Sequence, residues 1–274
     1  MKQKKRILLL CLAAVLLAVG IWIAWGNTAL QLTSITVVSD ALPQEADGLR
    51  IAHISDLHNT EFGKGNEKLL AMLAEAEPDL IAITGDLIDS RRTDPDVALD
   101  FAAAATAIAP CYYVAGNHES RIADYPRLQE GLEAAGVTVL DNKSVSLNGI
   151  TLLGVRDPAF SGDVSTDRPV MQQALSELDT TGFTVLLSHR PELFDIYASF
   201  PIELTLSGHA HGGQFRLPLV GGILAPGQGL FPTYDAGLYH LGQSAMVVSR
   251  GLGNSLFPFR VNNRPEVVLI TLQR

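Results

Sequence analysis

The hydrophobic pattern contains one long apolar run followed by many short ones. Residues 7–25 carry no charge and leave no polar face. As a helix they rise about 28 Å, close to the hydrocarbon thickness of a bilayer. Residues 26–30 form a connector, and residues 32–38 alternate like a half-buried strand. Short runs at 49–54, 79–84 and 111–115 predict further strands. Between and after them, 66–77, 96–108 and 124–135 show helical spacing, stopped by Pro78, Pro110 and Gly136 in turn. Strand and helix in alternation imply parallel strands with crossovers packed on the sheet faces.

The second half changes rhythm. Strands are predicted at 137–140, 144–147, 150–155, 183–187, 203–206, 245–249 and 267–272, with a helix over 170–178. Asn148-Gly149 marks a tight hairpin. Residues 208–231 are glycine-rich, and an irregular stretch of that length in a compact domain is usually functional. No internal repeat or low-complexity tract is present.

Charge assigns the first run a role. Lys2, Lys4, Lys5 and Arg6 precede it, Trp22 and Trp25 lie at its far end, and no Lys or Arg follows until Arg50. The positive-inside rule puts residues 1–6 in the cytoplasm as a basic tail, 7–25 across the membrane as a signal-anchor, and everything after 26 outside. The expected location is the cell membrane, single-pass, with residues 48–274 as an extracytoplasmic domain and 26–47 as connector and first strand. The alternative is secretion after signal cleavage, with 27–29 the conceivable cut.

Composition narrows the remainder. The net charge of −9 argues against a nucleic-acid backbone as partner. No protein partner is predicted. Cys11 lies inside the apolar run and so cannot pair with Cys111, which is expected to pack as a small apolar residue.

Candidate chemistry sits where strands end. Asp56-Leu57-His58, Gly85-Asp86-Leu87-Ile88-Asp89, Gly116-Asn117-His118-Glu119, Ser188-His189-Arg190-Pro191 and Gly208-His209-Ala210-His211-Gly212 each follow an apolar strand. Ligands of open α/β sheets bind outside the carboxyl ends of strands. Imidazole, carboxylate and amide donors without thiolate suit zinc, iron or manganese. They outnumber the needs of one four-coordinate ion. Two ions sharing a carboxylate use them, activate a bridging water and clamp an in-line displacement at phosphorus. Taken singly, each cluster is as easily a turn, a cap or loop polarity.

The order D-x-H, G-D-x-x-D, G-N-H-E, H and G-H-x-H resembles the calcineurin-like metallophosphoesterases over about residues 48–272. The Ser-His-Arg-Pro-Glu and Gly-His-Ala-His-Gly-Gly-Gln-Phe-Arg-Leu-Pro runs are similar to its membrane-anchored bacterial branch, of the YkuE and YaeI type. The resemblance implies an α/β four-layer sandwich of two mixed β-sheets flanked by helices. It implies two divalent metal ions (Mn, Fe or Zn). Asp56, His58 and His211 would hold one, Asn117, His189 and His209 the other, and Asp86 would bridge them. His118 would stabilise or protonate the leaving oxygen, with Asp56 orienting it. Asp89 would orient a ligand histidine, and Glu119 receives no metal role.

The implied activity is phosphoester hydrolysis, of phosphodiesterase type, by in-line attack of a metal-bridging hydroxide. The substrate is a phosphoester, lipid-linked in one version. One alternative is a UDP-2,3-diacylglucosamine pyrophosphatase-like hydrolase of lipid A synthesis, whose cytoplasmic nucleotide conflicts with the topology above. Two others are a non-catalytic metal-binding membrane protein and a hydrolase of carbon esters or amides. Arg156 and Arg190 are candidates for substrate phosphate, or equally for ordinary ion pairs. His240 is a candidate for the substrate mouth or for packing, and His53 for a buried, hydrogen-bonded core position. The apolar residues Phe215, Leu217, Leu219, Ile223, Leu224 and Phe231 either guide an acyl chain or form loop core.

Removing the four basic residues of the tail leaves −13 on residues 7–274. Two divalent ions return that to −9 and concentrate positive charge where a phosphate would sit.

Overall fold

The architecture comes from a computed structural model that describes residues 2–255 and 257–274. Helix α1 spans Lys2–Thr28. The main strands follow as β1 Gln31–Val38, β2 Arg50–Ile54, β3 Leu80–Thr84, β4 Cys111–Val114, β5 Thr138–Val139, β6 Lys143–Leu147, β7 Ile150–Gly154, β8 Phe183–Leu187, β9 Leu204–Ser207, β10 Gly237–Leu241, β11 Ser244–Val248 and β12 Glu266–Gln273. Helices α2 Glu67–Glu75, α3 Pro95–Thr106 and α4 Tyr125–Ala134 connect the early strands, and α5 Asp167–Ser176 precedes β8.

The strands form two six-stranded mixed sheets, ordered β1-β12-β2-β3-β4-β5 and β10-β11-β9-β8-β7-β6. In the first, β2 to β5 run parallel and β12 is antiparallel to β2. In the second, β7, β8, β9 and β11 run parallel between antiparallel edges. Strand alternation sorts the core into layers. Ile51, Leu80, Ala82 and Val114 from one sheet meet Leu152, Val185, Leu187, Leu204 and Val247 from the other. The opposite faces pack under helices, with Ile54, Ile81, Ile83 and Tyr113 against α2–α4 and Leu153, Leu186 and Met246 against α5. The result is helices, sheet, sheet, helix, as the resemblance implies.

Local readings mostly survive. Pro95 opens α3 at its first position, where its missing N–H costs nothing. Asn148 and Gly149 both take positive φ (47° and 77°) between β6 and β7, as a two-residue hairpin needs. Cys111 is buried, and burial pushes its thiol up to about 12.

Two expectations change. The strand expected ahead of the domain, β1, pairs along its full length with β12 and so belongs to the first sheet. The strand β10 was not foreseen, because Gly-Leu-Tyr-His-Leu is an exposed edge with no apolar alternation.

Helix α1 contains a stretch long and apolar enough to cross a membrane, Gln3–Thr28, whose apolar window is not buried in the protein. It extends beyond the apolar run at both ends.

Candidate metal centre

The parallel strands β2, β3 and β4 end beside one another, as do β8 and β9, and both sets deliver their clusters to one edge. The turns after them are tight. Asp56, His58, Asp86, His209 and His211 all take positive φ, between 47° and 65°. Each such residue costs roughly 1–3 kcal/mol, a strain that collects at functional sites. Two glycines let the turns close. A Cβ on Gly116 would collide with the Asp86 carboxylate, and one on Gly208 with Ser55 Oγ and Asp56.

The side chains converge into buried groups. Asp56, His58 and His211 place their ligand atoms within 4.8 Å of one another, and so do Asp86, His189 and His209. A third such group is His58, Asp86 and His118. Asp86 Oδ2 lies 3.6 Å from His58 Nε2 and 3.2 Å from His189 Nε2, between the two halves. Asn117 Oδ1 is 3.2 Å from His189 Nε2. All seven residues singled out as ligands are therefore together.

The donor set fits divalent ions. His189 Nδ1 is 2.7 Å from the Thr84 carbonyl and His58 Nδ1 is 3.3 Å from that of Ile88, so each ring donates on one side and turns a lone pair inwards from Nε2. Inward nitrogens then face one another, with His58 Nε2 3.3 Å from His211 Nε2 and His189 Nε2 3.1 Å from His209 Nδ1. Lone pairs so placed repel unless a cation or proton lies between them. Burial holds His58 and His211 near 3, and Arg260 beside His211 adds to the effect there. Burial also lowers His209. On His189 burial acts the same way, but Asp86 and Asp56 outweigh it and raise the ring to about 10. The pocket draws in positive charge, as a cation site does.

His118 is held apart from this set. The Ser90 N–H donates to its Nδ1 at 3.0 Å, which leaves the ring proton on Nε2, 3.2 Å from Ser255 Oγ. Burial lowers its pKa against the opposing pull of Asp86, so the ring rests neutral. Its carboxylate neighbour is Asp89, at 3.5 Å, and not Asp56, which faces His58, His189 and His211. The expected orienting partner is thus corrected. Asp56 is occupied by the ligand histidines, and Asp89 stands beside His118 rather than beside a ligand histidine.

The predicted substrate residues lie elsewhere. Arg190 gives its guanidinium to Asp157, with Nε 2.6 Å from Oδ2 and Nη2 2.8 Å from Oδ1, and lies 3.6 Å from Glu192. Arg156 is exposed and stacks on Phe160. His240 pairs with Ala245 near the start of β11, and β11 runs parallel to β9, so it sits towards the opposite end from His209. None of the three lines the cleft over the metal groups.

That cleft, of about 230 Å³, is lined by Asp86, Asn117, His118, His209 and His211 together with Arg91, Arg121, Pro226 and Ser255. Arg91 and Arg121 went unread in the sequence, although each follows a site motif by a few residues. Glu119, expected to take no metal role, has a structural one. It is fully buried, and its carboxylate accepts from the N–H groups of Asp86 (2.8 Å), Gly116 (2.8 Å) and Ile88 (3.2 Å), tying two motif turns together. Burial and the nearby Asp86 raise its pKa to about 8.

The pattern of the calcineurin-like phosphoesterase family matches residues 49–213. This chain belongs to that family. Among its relatives, the metallophosphoesterase YkuE of Bacillus subtilis is 31% identical over 256 residues, covering 89% of this chain and 86% of YkuE. The phosphodiesterase YaeI of Escherichia coli is 31% identical over 237 residues, covering 81% of this chain and 82% of YaeI. A dimetal phosphatase from Danio rerio shares the fold, with a TM-score of 0.51 at 13% identity, over 82% of this chain and 99% of that one. As a calcineurin-like phosphoesterase the chain is a metallophosphoesterase, and its buried ligand groups are of the two-metal type.

Proposed function

We propose that the chain is a phosphodiesterase whose two divalent ions are held by Asp56, His58 and His211 on one side, by Asn117, His189 and His209 on the other, and by Asp86 between them. The observation that carries this is Asp86, whose Oδ2 lies 3.6 Å from His58 Nε2 and 3.2 Å from His189 Nε2, nearer to both than Asp56 is. Bound ions supply Lewis acidity and an activated water. A water oxygen bonds to phosphorus and gives up a proton while the phosphorus–oxygen bond to the leaving group breaks; the leaving oxygen keeps both electrons and takes up a proton.

The protein's own part is orientation and charge. His118 presents Nε2–H to the cleft and stabilises the leaving oxygen by hydrogen bonding. A ring that rests neutral suits this role better than that of a strong acid. Arg91 and Arg121 replace Arg156 and Arg190 as contacts for the phosphate oxygens, because they line the cleft and those two do not. Helix α1 anchors the domain on the extracytoplasmic side, given the basic residues before it.

The test is hydrolysis of bis-p-nitrophenyl phosphate by the full-length protein in detergent with Mn²⁺. Turnover abolished by chelation and by Asp86→Asn is expected. No turnover with Mn²⁺, Fe²⁺ or Zn²⁺, or faster cleavage of p-nitrophenyl acetate, would reject the reading.

A further inference from the structure

The membrane helix and the metal groups meet at one edge of the first sheet. Strand β12 is antiparallel to β2, so its first residues lie beside the end of β2 that leads to Asp56. Strand β1 starts next to them, with Gln31 opposite Glu266, and α1 therefore enters at the catalytic edge. Asn27, in the last turn of α1, is bound there by three hydrogen bonds. Its Oδ1 accepts from Arg260 N at 2.8 Å and from Asn254 Nδ2 at 3.0 Å, and its Nδ2 donates to Arg260 O at 3.1 Å. The same short segment reaches the centre, since Ser255 Oγ is 3.2 Å from His118 Nε2 and Arg260 Nη2 is 3.4 Å from His211 Nδ1. Arg264 stacks on Trp25 and donates to the Ala29 and Leu30 carbonyls, which fixes the helix end against the domain.

The glycine-rich loop lies on this same side. Arg216 N donates to Val261 O at 3.0 Å, and Phe215 packs on Phe257 and Phe259. Beyond that attachment the loop turns apolar side chains to the outside. Leu219 is fully exposed, and Leu217, Val220, Leu230 and Phe231 are each more than half exposed. Leu219 and Phe231 stand in the left-handed backbone region (φ 69° and 55°), an unfavourable place for such residues. Large apolar side chains gathered on one loop and left exposed mark a surface that is covered in use.

The loop also supplies Pro226 to the wall of the cleft. A second groove, of about 740 Å³, adjoins the cleft at Arg91 and Ser255. It runs past Asn254 and Pro258, towards the residues that hold Asn27.

We propose that the loop face bearing Leu217, Leu219, Val220, Leu230 and Phe231 docks in the interface of the bilayer that α1 enters, so that the cleft receives a phosphoester carried in a lipid headgroup. The proposal rests on the phosphoesterase reading and on α1 as an anchor, and it adds the substrate class. Continuity with α1 is the reason to choose a lipid surface as occupant. The loop is attached at Val261, next to the Arg260 that binds Asn27 in the last turn of the helix, and a chain tethered there meets the bilayer at high effective concentration.

Two readouts test it on the full-length chain, one copy per nanodisc. A bimane on Leu219→Cys, in a Cys11→Ala, Cys111→Ala background, should emit at blue-shifted wavelength and be quenched by brominated lipid tails. Water-like emission would overturn the docking. So would protection that appears only when two copies share a disc, which would assign the face to a second copy of the chain. The second readout compares hexadecyl and methyl p-nitrophenyl phosphate, which share a leaving group and differ in the lipid chain. The hexadecyl ester should show at least tenfold higher kcat/KM. The L217E/L219E/F231E variant should lose that advantage while its methyl-ester rate stays within twofold, which also reports on folding. Equal rates for the two esters, or an undiminished advantage in the variant, would overturn the substrate class. Turnover of neither ester would defeat the phosphoesterase reading and the substrate class with it, and the bimane would still decide the docking.

Discussion

The two sheets contribute unequally to the centre. The first supplies the negative charge and the amide, as Asp56, Asp86 and Asn117, with one ligand histidine, His58. The second supplies only imidazoles, His189, His209 and His211. The braces differ as well. On the first sheet, Glu119 ties the turns through three backbone N–H groups. On the second, an ion pair between Arg190 and Asp157 braces the turn after β8. Each half also leans on the other. His189 donates to the Thr84 carbonyl at the end of β3, and the His209 N–H donates to Asp56 at 3.0 Å. The centre is therefore the seam between the sheets, given its negative charge from one side and its imidazole donors from the other.

Removing the shared charge gives the largest expected effect. Asp86→Asn should lower phosphodiester turnover by roughly 10³-fold or more and reduce bound metal to at most one ion per chain. His211→Ala, which removes a neutral donor from one group only, should keep one ion and lose less activity. Metal analysis of the two variants separates them, and two ions retained in Asp86→Asn would remove the basis for the asymmetry.

The braces come next. Arg190→Ala leaves Asp157 buried and unpaired, and breaking such a pair costs about 3–5 kcal/mol. Unfolding midpoints in detergent measure it. A phosphate-binding Arg190 would instead raise KM with stability unchanged. His118→Ala should lower kcat by about 10²-fold with both ions retained, and loss of metal in that variant would make His118 a ligand. Glu119→Gln keeps the shape of the first-sheet brace but exchanges an acceptor for a donor against three N–H groups. A loss of about 1–3 kcal/mol is expected.

Much of this seam was legible in the sequence, for a physical reason. Parallel strands place their carboxyl ends together, so the residue after each apolar run is already assigned to one edge. Asp56, Asp86, Asn117, His189 and His209 could be gathered by that rule alone. What lay outside it was anything fixed by contact between distant segments. Arg190 sits in a site motif, yet its guanidinium is taken by Asp157, which no spacing announces. Arg260 is buried, held by the Arg250 and Gly253 carbonyls and the Asn254 side chain with no carboxylate in hydrogen-bonding contact among the described residues, and local sequence gives no sign of it. The residues of β1 read as a strand, but nothing local ties them to the domain, because their partner lies at the other end of the chain.

The smallest effect separates the first sheet from the centre it serves. His53 lies within β2, three residues before Asp56, with Nε2 2.8 Å from Thr84 Oγ1 and Nδ1 without a partner among the described residues. Burial lowers its pKa from 6.5 to about 3. Below pH 6.5 the unfolded chain therefore takes up a proton that the folded chain refuses, so stability falls as pH falls towards 3 and is independent of this group above 6.5. The slope for one such group is about 1.4 kcal/mol per pH unit. His53→Gln should remove it. Between pH 6.5 and 4.5, urea unfolding of the variant in detergent should show an acid dependence shallower than the wild type by that amount. Equal slopes would mean that the acid sensitivity of the first sheet lies wholly in His58 and its neighbours at the seam.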